Sequence, residues 1–389
     1  MVAPLPGRVA YFLVDGMRYE MGAELAERLR SNAEVSLRSA VGVLPSITKT
    51  GMAALMPGAA TSFDVLEAGG KLVARIDGSA LADRAARTNR IKALRPTSVD
   101  LELRQVHFLT KSKLEKRIGN SPLVVVRSQE IDFFGEGGFQ AARVVMDTVI
   151  ENLARAVRKL ASLGIERAVI ASDHGHIYVA EEREEAMRID APGGEQVELH
   201  RRCWVGRGGA TPTACVRVAA RTLGSDSDLD FVFPRGAGVF KAGGDLAFHH
   251  GGPSLQELVI PVITVRTAVG TGESGTLGAS LSLSEVPPTI TNRIFSVKLT
   301  VTSLLGGGVP IKPLLLSDQK PVGHVGLALG GDHDRGTGTV TIGPSGEVTL
   351  GFVLDDDQAT SVRVVVVDPA TDAMLYSSPT DIPVRLGVA

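Results

Sequence analysis

Cysteine, tryptophan and long apolar runs are all scarce in this chain of 389 residues. Its two cysteines, Cys203 and Cys215, stand twelve residues apart with no partner cluster. That excludes a cysteine-only zinc site and a disulfide framework, and leaves reduced core thiols or at most one disulfide. No stretch approaches the roughly 20 apolar residues of a membrane span. The first apolar run, Val9 to Val14, ends at an aspartate and is too short for the core of a signal peptide. A cytoplasmic protein with no membrane partner is expected. Because the chain starts almost directly in a core strand, it reads as a fragment or as a short member of a longer family. An excess of one charge is also missing. With a formal net charge of −2, the whole protein is not a polyanion binder, and any nucleic-acid contact must come from a local basic patch.

Hydrophobic residues make up 44% of the chain, enough to bury a full core without staples. Residues 8–266 alternate between strand and helix patterns. The continuous apolar run Val9–Val14 suits a parallel strand covered on both faces. A helix with Met21, Leu25 and Leu29 on one stripe follows it. The clearest helical pattern runs from Phe139 to Leu163 and stops at Gly164, and a strand is expected from Arg167 to Ala171. Leu123 to Val126 and Leu258 to Val265 are further strands, with Pro261 arguing for an edge position or a bulge in the second. Such alternation predicts a mostly parallel sheet with helices on both faces, in which ligands bind beyond the carboxyl ends of the strands. Asp15, Asp132 and Asp173 each follow an apolar strand.

Two segments interrupt this pattern. Residues 61–120 are polar, and from 71 to 120 they hold 12 Lys/Arg against 5 Asp/Glu. Residues 183–235 read as loops and short hairpins, with Arg201, Arg202 and Arg207 near Trp204. The division expected is a first domain over 1–266, a Gly/Ser/Thr-rich linker over 267–280 and an all-β domain over 281–389. Regular alternation in Phe295–Val301, Val325–Leu329, Val348–Leu354 and Ser361–Val367 favours an immunoglobulin-like β-sandwich in the last part. His324 and His333 are isolated there, so a structural or docking module is expected.

Ser172-Asp173-His174-Gly175 at a strand end sets a carboxylate and an imidazole on adjacent residues, a pairing that serves divalent ions. Downstream, Phe248-His249-His250-Gly251-Gly252 offers imidazoles on a tight loop, followed by Glu257. Counting His176 just beyond the first, four of the eight histidines fall at these two segments, which shifts the reading from surface loops to metal ligands. The third piece, Leu44-Pro45-Ser46-Ile47-Thr48-Lys49-Thr50-Gly51, looks like a turn entering a helix. A hydroxyl there is a poor nucleophile unless a metal ion lowers its pKa, and without one it is only a helix cap.

Taken in order, Val14-Asp15-Gly16, Pro45-Ser46-Ile47-Thr48, Ser172-Asp173-His174-Gly175 and His250-Gly251 resemble the alkaline phosphatase superfamily. Within it, the run from Asp15 to Glu20 and the run from His250 to Pro261 resemble the PglZ domain of bacterial phage-resistance systems of the phage-growth-limitation and BREX type. The resemblance covers residues 8–266. It implies a three-layer αβα sandwich holding two divalent ions, zinc first and manganese or magnesium as alternatives. It further implies that Asp15, Thr48, Asp173 and His174 hold one metal, with Thr48 as the attacking oxygen and Thr50 and Ser46 as fallbacks. For the second metal it implies Asp132, the residue four positions on, here Glu136 rather than histidine, and His250. That carboxylate makes the second site harder, which favours manganese or magnesium more than an imidazole-rich site would.

The expected function is a metal-dependent phosphodiesterase or phosphatase in phage defence, with Arg18 and Lys49 as candidate phosphate-binding cations. The basic 71–120 segment points to a nucleotide or nucleic-acid substrate if it lies over the site. The competing expectation is a non-catalytic metal-binding scaffold that docks other defence proteins through its acidic β domain. A sulfatase is excluded, because no Cys/Ser-x-Pro-x-Arg motif occurs.

Overall fold

A computed structural model describes residues 7–30, 33–136, 139–178, 187–242, 248–267, 279–303, 309–317, 320–343, 346–369 and 374–386. The chain divides into two compact units, Met1–Val269 and Gly270–Ala389. The 267–280 linker expected between them falls mostly outside the described residues.

The first unit is built on a mixed sheet of six strands. Their order is Ala33–Val41, Val259–Thr267, Arg167–Ser172, Val9–Val14, Leu123–Ser128 and Val99–Glu102. The last four pair in parallel, while Val259–Thr267 runs antiparallel to both of its neighbours. Val9–Val14 lies at the centre and every one of its residues is buried, the outcome expected of an apolar run with helices over both faces. On one face, Met21, Leu25 and Leu29 of the helix Tyr19–Arg30 pack with Leu153, Val157 and Leu160 of the helix Phe139–Ala161. On the other, Val9, Tyr11 and Leu13 pack with Ile47, Met52 and Met56.

Three features differ from the sequence reading. Val259–Thr267 is not an edge strand, yet its pairing with Arg167–Ser172 begins only at Val262, so Pro261 stands outside that ladder. Residues 61–120 are not wholly an insertion, because Val99–Glu102 closes one edge of the main sheet. Residues 195–234 form a four-stranded antiparallel sheet from Glu195–Leu199, Trp204–Arg207, Asp230–Pro234 and Cys215–Ala219, with its own apolar centre around Trp204, Val232 and Phe240. Cys203 and Cys215 are both buried free thiols.

The second unit is strand-rich and antiparallel. Its ladder runs Ala279–Ser284, Ile294–Ser303, Glu347–Leu354, Lys320–Leu329 and Val309–Ser317, and the last of these also pairs with Ser361–Val367 and Thr339–Ile342. Alternate residues such as Val297, Leu299, Leu350, Phe352, Val364 and Val366 form its core.

Candidate metal centre

Three adjacent parallel strands end side by side, and each end carries an aspartate. Asp15 follows Val14, with its amide donating to the Ser128 carbonyl at 2.9 Å. Asp173 follows Ser172, and Asp132 lies in the short helix Glu130–Glu136 that follows Ser128. The Ser172 hydroxyl accepts from the Met17 amide at 2.9 Å and donates to the His174 carbonyl at 2.7 Å, which fixes the turn that carries Asp173 and His174. One oxygen of Asp173 accepts from the Gly16 and His174 amides, at 3.1 and 2.9 Å. Its other oxygen, Oδ2, is buried without a hydrogen-bond partner among the described residues, and so is Asp132 Oδ1. Buried carboxylate oxygens are almost always satisfied, so each orphan calls for an electrophile.

Imidazoles supply the rest of the cluster. His174 Nδ1 lies 2.9 Å from the Gly175 carbonyl and His250 Nδ1 lies 3.2 Å from the Ser46 carbonyl, leaving Nε2 of each ring for the site. His174 Nε2 is 3.5 Å from Asp15 Oδ1 and from Asp173 Oδ2. His250 Nε2 is 3.4 Å from Asp132 Oδ1. Two ligands each 2.0–2.1 Å from a tetrahedral ion stand about 3.3 Å apart, so these spacings already suit a metal between them. Two groups emerge with ligand atoms within 4.8 Å of one another: Asp15, Asp173 and His174, and Asp132, His174 and His250.

Thr48 sits at the junction. Its Oγ1 donates to Asp15 Oδ1 at 3.3 Å and lies 3.2 Å from His174 Nε2. It is the first residue of the helix Thr48–Ala54, which approaches Asp173 closely because Gly51 has no side chain. A Cβ at Gly51 would meet the Asp173 carbonyl oxygen at 2.6 Å. The two fallback hydroxyls are committed elsewhere. Ser46 Oγ donates to the Gly252 carbonyl at 2.7 Å and accepts from the Gly251 amide at 3.2 Å, while Thr50 Oγ1 donates to the Ile47 carbonyl at 2.9 Å.

Electrostatics describe the same cluster. Burial, with the neighbouring carboxylates Asp173 and Asp132, pushes Asp15 well above the ordinary carboxylate range. Burial raises Asp173 to about 7 against its backbone hydrogen bonds. Asp132 rises to about 6, again through burial, against the attraction of His250. Burial lowers both His174 and His250 to about 4, keeping them neutral. Neutral imidazoles and carboxylates short of positive charge form the donor set that a divalent cation fits.

Other residues singled out in the sequence lie around this cluster. Glu136 is exposed, one turn beyond Asp132 and outside both groups. His176 is buried with Nδ1 2.7 Å from the Gly16 carbonyl and its ring against Phe248. His249 is buried, with Nδ1 3.3 Å from Arg201 Nη1. Lys49 pairs with Glu198, which also takes His200 at 3.1 Å. Arg18 pairs with Glu20.

The cation that sequence reasoning missed is Arg87, on the helix Arg84–Leu94 of the basic segment. The next residue, Thr88, accepts from Arg127 at 3.1 Å and donates to Asp100 at 3.3 Å, which docks the helix against the carboxyl end of the Leu123–Ser128 strand. Among the described residues Arg87 Nε is buried without a hydrogen-bond partner, and the charges of Asp173 and Asp15 act on it. Only the basic balance of residues 71–120 pointed there.

Comparison with known proteins adds to this geometry. The model of the BREX system PglZ alkaline phosphatase-like domain matches residues 4–265. Over 277 residues the chain is 25% identical to the alkaline phosphatase-like protein BrxZ of Escherichia coli O9:H4 (strain HS), covering 67% of this chain and 30% of that protein. Over 310 residues it is 23% identical to the alkaline phosphatase-like protein PglZ of Bacillus cereus (strain H3081.97), covering 77% of this chain and 36% of that protein. The chain thus spans about a third of the length of the curated relatives it matches.

Proposed function

Because this chain belongs to the BREX system PglZ family of alkaline phosphatase-like domains, we propose that it is a metal-dependent phosphate-ester hydrolase with Thr48 as nucleophile. One observation carries the reading. A hydroxyl at the start of a helix stands within 3.3 Å of both Asp15 and His174, beside two buried carboxylate oxygens that lack partners. A threonine in that position has no structural need for such neighbours.

Asp15, Thr48, Asp173 and His174 would hold one divalent ion, and Asp132, His250 and Glu136 the other, with His174 near enough to contribute to both. Zinc is the first candidate, with manganese or magnesium as alternatives given the carboxylate share of the second set. When bound, the ions supply the positive charge that lowers the pKa of the attacking hydroxyl and stabilises the leaving oxygen. The chain does the rest. Thr48 Oγ1 gives up its proton to water and forms a bond to phosphorus as the bond to the leaving oxygen breaks, and that oxygen takes a proton from water and departs as the alcohol. Water then cleaves the phosphothreonine and restores the hydroxyl. Arg87 pairs with a non-bridging oxygen, where its free Nε–H gains an acceptor. Lys49, already paired with Glu198, is a second choice for that contact. Arg18 pairs with Glu20 through Nη2 but keeps a buried Nε without a partner among the described residues, and is the alternative to Arg87.

The substrate class is a phosphate mono- or diester, with nucleotides or nucleic acid favoured by the basic helix that carries Arg87. The proposed setting is the cytoplasm, in phage defence beside other BREX proteins. The antiparallel C-terminal unit is proposed as an immunoglobulin-like sandwich that docks such partners, supported by its acidic excess of 12 Asp/Glu over 7 Lys/Arg from residue 267 on.

The test is hydrolysis of aryl phosphate mono- and diesters with zinc, manganese or magnesium, with bound metal measured alongside. Turnover that needs metal and disappears in Thr48→Ala is the expected result. Bound metal with no turnover on any ester would favour the non-catalytic scaffold.

A further inference from the structure

Outside the ligand set lies a fully buried ion pair with no part in the proposed chemistry. Arg202 and Glu257 are 1% and 0% exposed. Arg202 Nε reaches Glu257 Oε1 at 3.1 Å and Nη2 reaches Oε2 at 3.0 Å, a two-pronged fork. The third arginine nitrogen, Nη1, donates to the Gly238 carbonyl. Glu257 accepts two further bonds, from the Gly252 amide at 2.8 Å and the Ser254 amide at 3.2 Å. Taking two charges out of water is costly, and apolar residues of like volume often serve stability as well. A pair of this kind calls for a reason besides stability.

The contacts supply one. Both histidine loops converge on Glu257. Its carboxylate holds Gly252, whose carbonyl accepts from Ser46 Oγ, and the Ser46 carbonyl in turn faces His250 Nδ1. Its own carbonyl accepts from the Gly175 amide at 2.8 Å, and the Gly175 carbonyl faces His174 Nδ1 at 2.9 Å. The glycines leave room for this convergence. A Cβ at Gly252 would meet Arg202 Nη2 and Glu257 Oε2, both at 3.0 Å, and one at Gly175 would collide with the Gln256 carbonyl. A Cβ at Gly251 would lie 3.4 Å from Arg202 Cβ, on a backbone with φ of +122°. Arg202 comes from the turn between Glu195–Leu199 and Trp204–Arg207. The turn of the extra four-stranded sheet therefore reaches the Glu257 carboxylate through Arg202.

We propose that the Arg202–Glu257 pair is a positioning device that holds the His250 loop against the His174 loop, so that His250 Nε2 and Asp132 Oδ1 face one cation. The inference rests on the metal-centre reading above. Outer partners of metal ligands affect affinity through ligand orientation, and losing one typically costs 10- to 100-fold.

The experiment compares metal binding by wild type, Glu257→Gln and the double variant Arg202→Met/Glu257→Leu. Zinc is titrated into metal-free protein, and the visible spectrum of each cobalt-loaded form is recorded. The double variant replaces the pair with apolar volume, so it folds where the single variant, left with an unpaired buried arginine, fails to. The expected result is a double variant whose metal-free melting temperature stays near wild type. It binds one of two zinc equivalents about 10- to 100-fold more weakly, with an altered cobalt spectrum at that equivalent only. Wild-type affinity and spectrum in the double variant would overturn the proposal, and an unfolded double variant would assign the pair to folding instead. Wild-type protein that binds no metal would sink the metal-centre reading itself, a result distinct from these.

Discussion

The imidazoles of His174 and His250 stack 4.1 Å apart with their planes 6° from parallel, although 76 positions separate them in the chain. Two protonated rings would repel at that distance. Each is held to about 4 instead, by burial first and, for His250, by its neighbour His174. Neutral rings with Nδ1 facing a backbone carbonyl carry their free lone pair on Nε2, the atom needed to bind a metal.

If those lone pairs and the two orphaned aspartate oxygens hold cations, metal removal destabilises the first unit. A ligand at 100 times its dissociation constant stabilises the folded state by about 2.7 kcal/mol per site. Treatment with a chelator is expected to lower the first melting transition by several degrees, and re-addition of zinc to restore it. Differential scanning calorimetry makes the comparison, and an identical transition with and without chelator would remove the case for metal.

Thr48→Ala deletes the attacking oxygen but leaves Asp15, Asp173 and His174 in place. Turnover of an activated aryl ester is expected to fall by at least about a thousand-fold, the scale seen when nucleophiles are deleted. Metal content by elemental analysis stays near wild type. Ser46→Ala is the contrasting control: Ser46 ties Gly251 and Gly252 beneath His250, so its loss weakens metal binding as well as rate.

Much of this site was legible in sequence because its residues sit where pattern changes abruptly. Val9–Val14 and Arg167–Ser172 are apolar runs buried along nearly their whole length, and the aspartates that end them stand out. Other strands gave no such signal. Val99–Glu102 is four residues of alternating character with only Leu101 buried, and Ala33–Val41 has no buried residue at all. Arg87 was hidden for a related reason. Ile91 is the one buried residue of its helix, so periodicity could not say which arginine faces inward. That choice is made by Thr88 meeting Arg127 and Asp100, from elsewhere in the chain. The Ser254-Leu-Gln-Glu257 capping box was readable, but the buried arginine that Glu257 also holds was not.

Gly51→Ala tests how tightly the Thr48 helix is seated. The added methyl would lie 2.6 Å from the Asp173 carbonyl oxygen and 2.9 Å from Asp173 Cβ, and neither is the end of a flexible side chain. Overpacking of this kind costs about 1–3 kcal/mol, and the helix must shift away from Asp173 to relieve it. Thr48 moves with it, so the rate is expected to fall more steeply than stability. A variant as fast and as stable as wild type would show that the helix is not held against Asp173.

Arg87 and Lys49 make opposite predictions. Arg87 has a buried Nε to offer a phosphoryl oxygen, whereas Lys49 is engaged by Glu198. Arg87→Ala should lower kcat/KM by about ten- to a hundred-fold, the value of a hydrogen bond to a charged group. Its stability should change little. Lys49→Ala should leave kcat/KM closer to wild type and instead raise the Glu198 pKa. That carboxylate is held down to about 2 against the opposing effect of burial, by His200 and Lys49. Steady-state kinetics on one substrate decides, and equal kinetic losses in both would show that Arg87 has no special place.

Stability against pH carries a sign that depends on metal. In metal-free protein, Asp132 and Asp173 keep their protons up to about 6 and about 7, against an ordinary value of 3.8. Between those limits the folded state holds more protons than the unfolded chain, so the stability they contribute is lost as pH rises through 6 and 7. His174 and His250 act in the other direction. Their pKa falls from 6.5 to about 4, so their contribution grows as pH rises from 4 to 6.5 and is complete above that. Above 6.5 only the carboxylate slope remains, with Asp15 adding to it in the same sense. The melting temperature of chelated protein should therefore fall between pH 6.5 and 8. Bound cations favour the ionised carboxylates, so the gap between loaded and chelated protein should widen over the same interval, with protons released on binding. Thermal melts at half-unit steps, with and without zinc, measure both curves. A chelated protein that grows more stable from pH 6.5 to 8 would mean that its aspartates are not held protonated by burial beside one another.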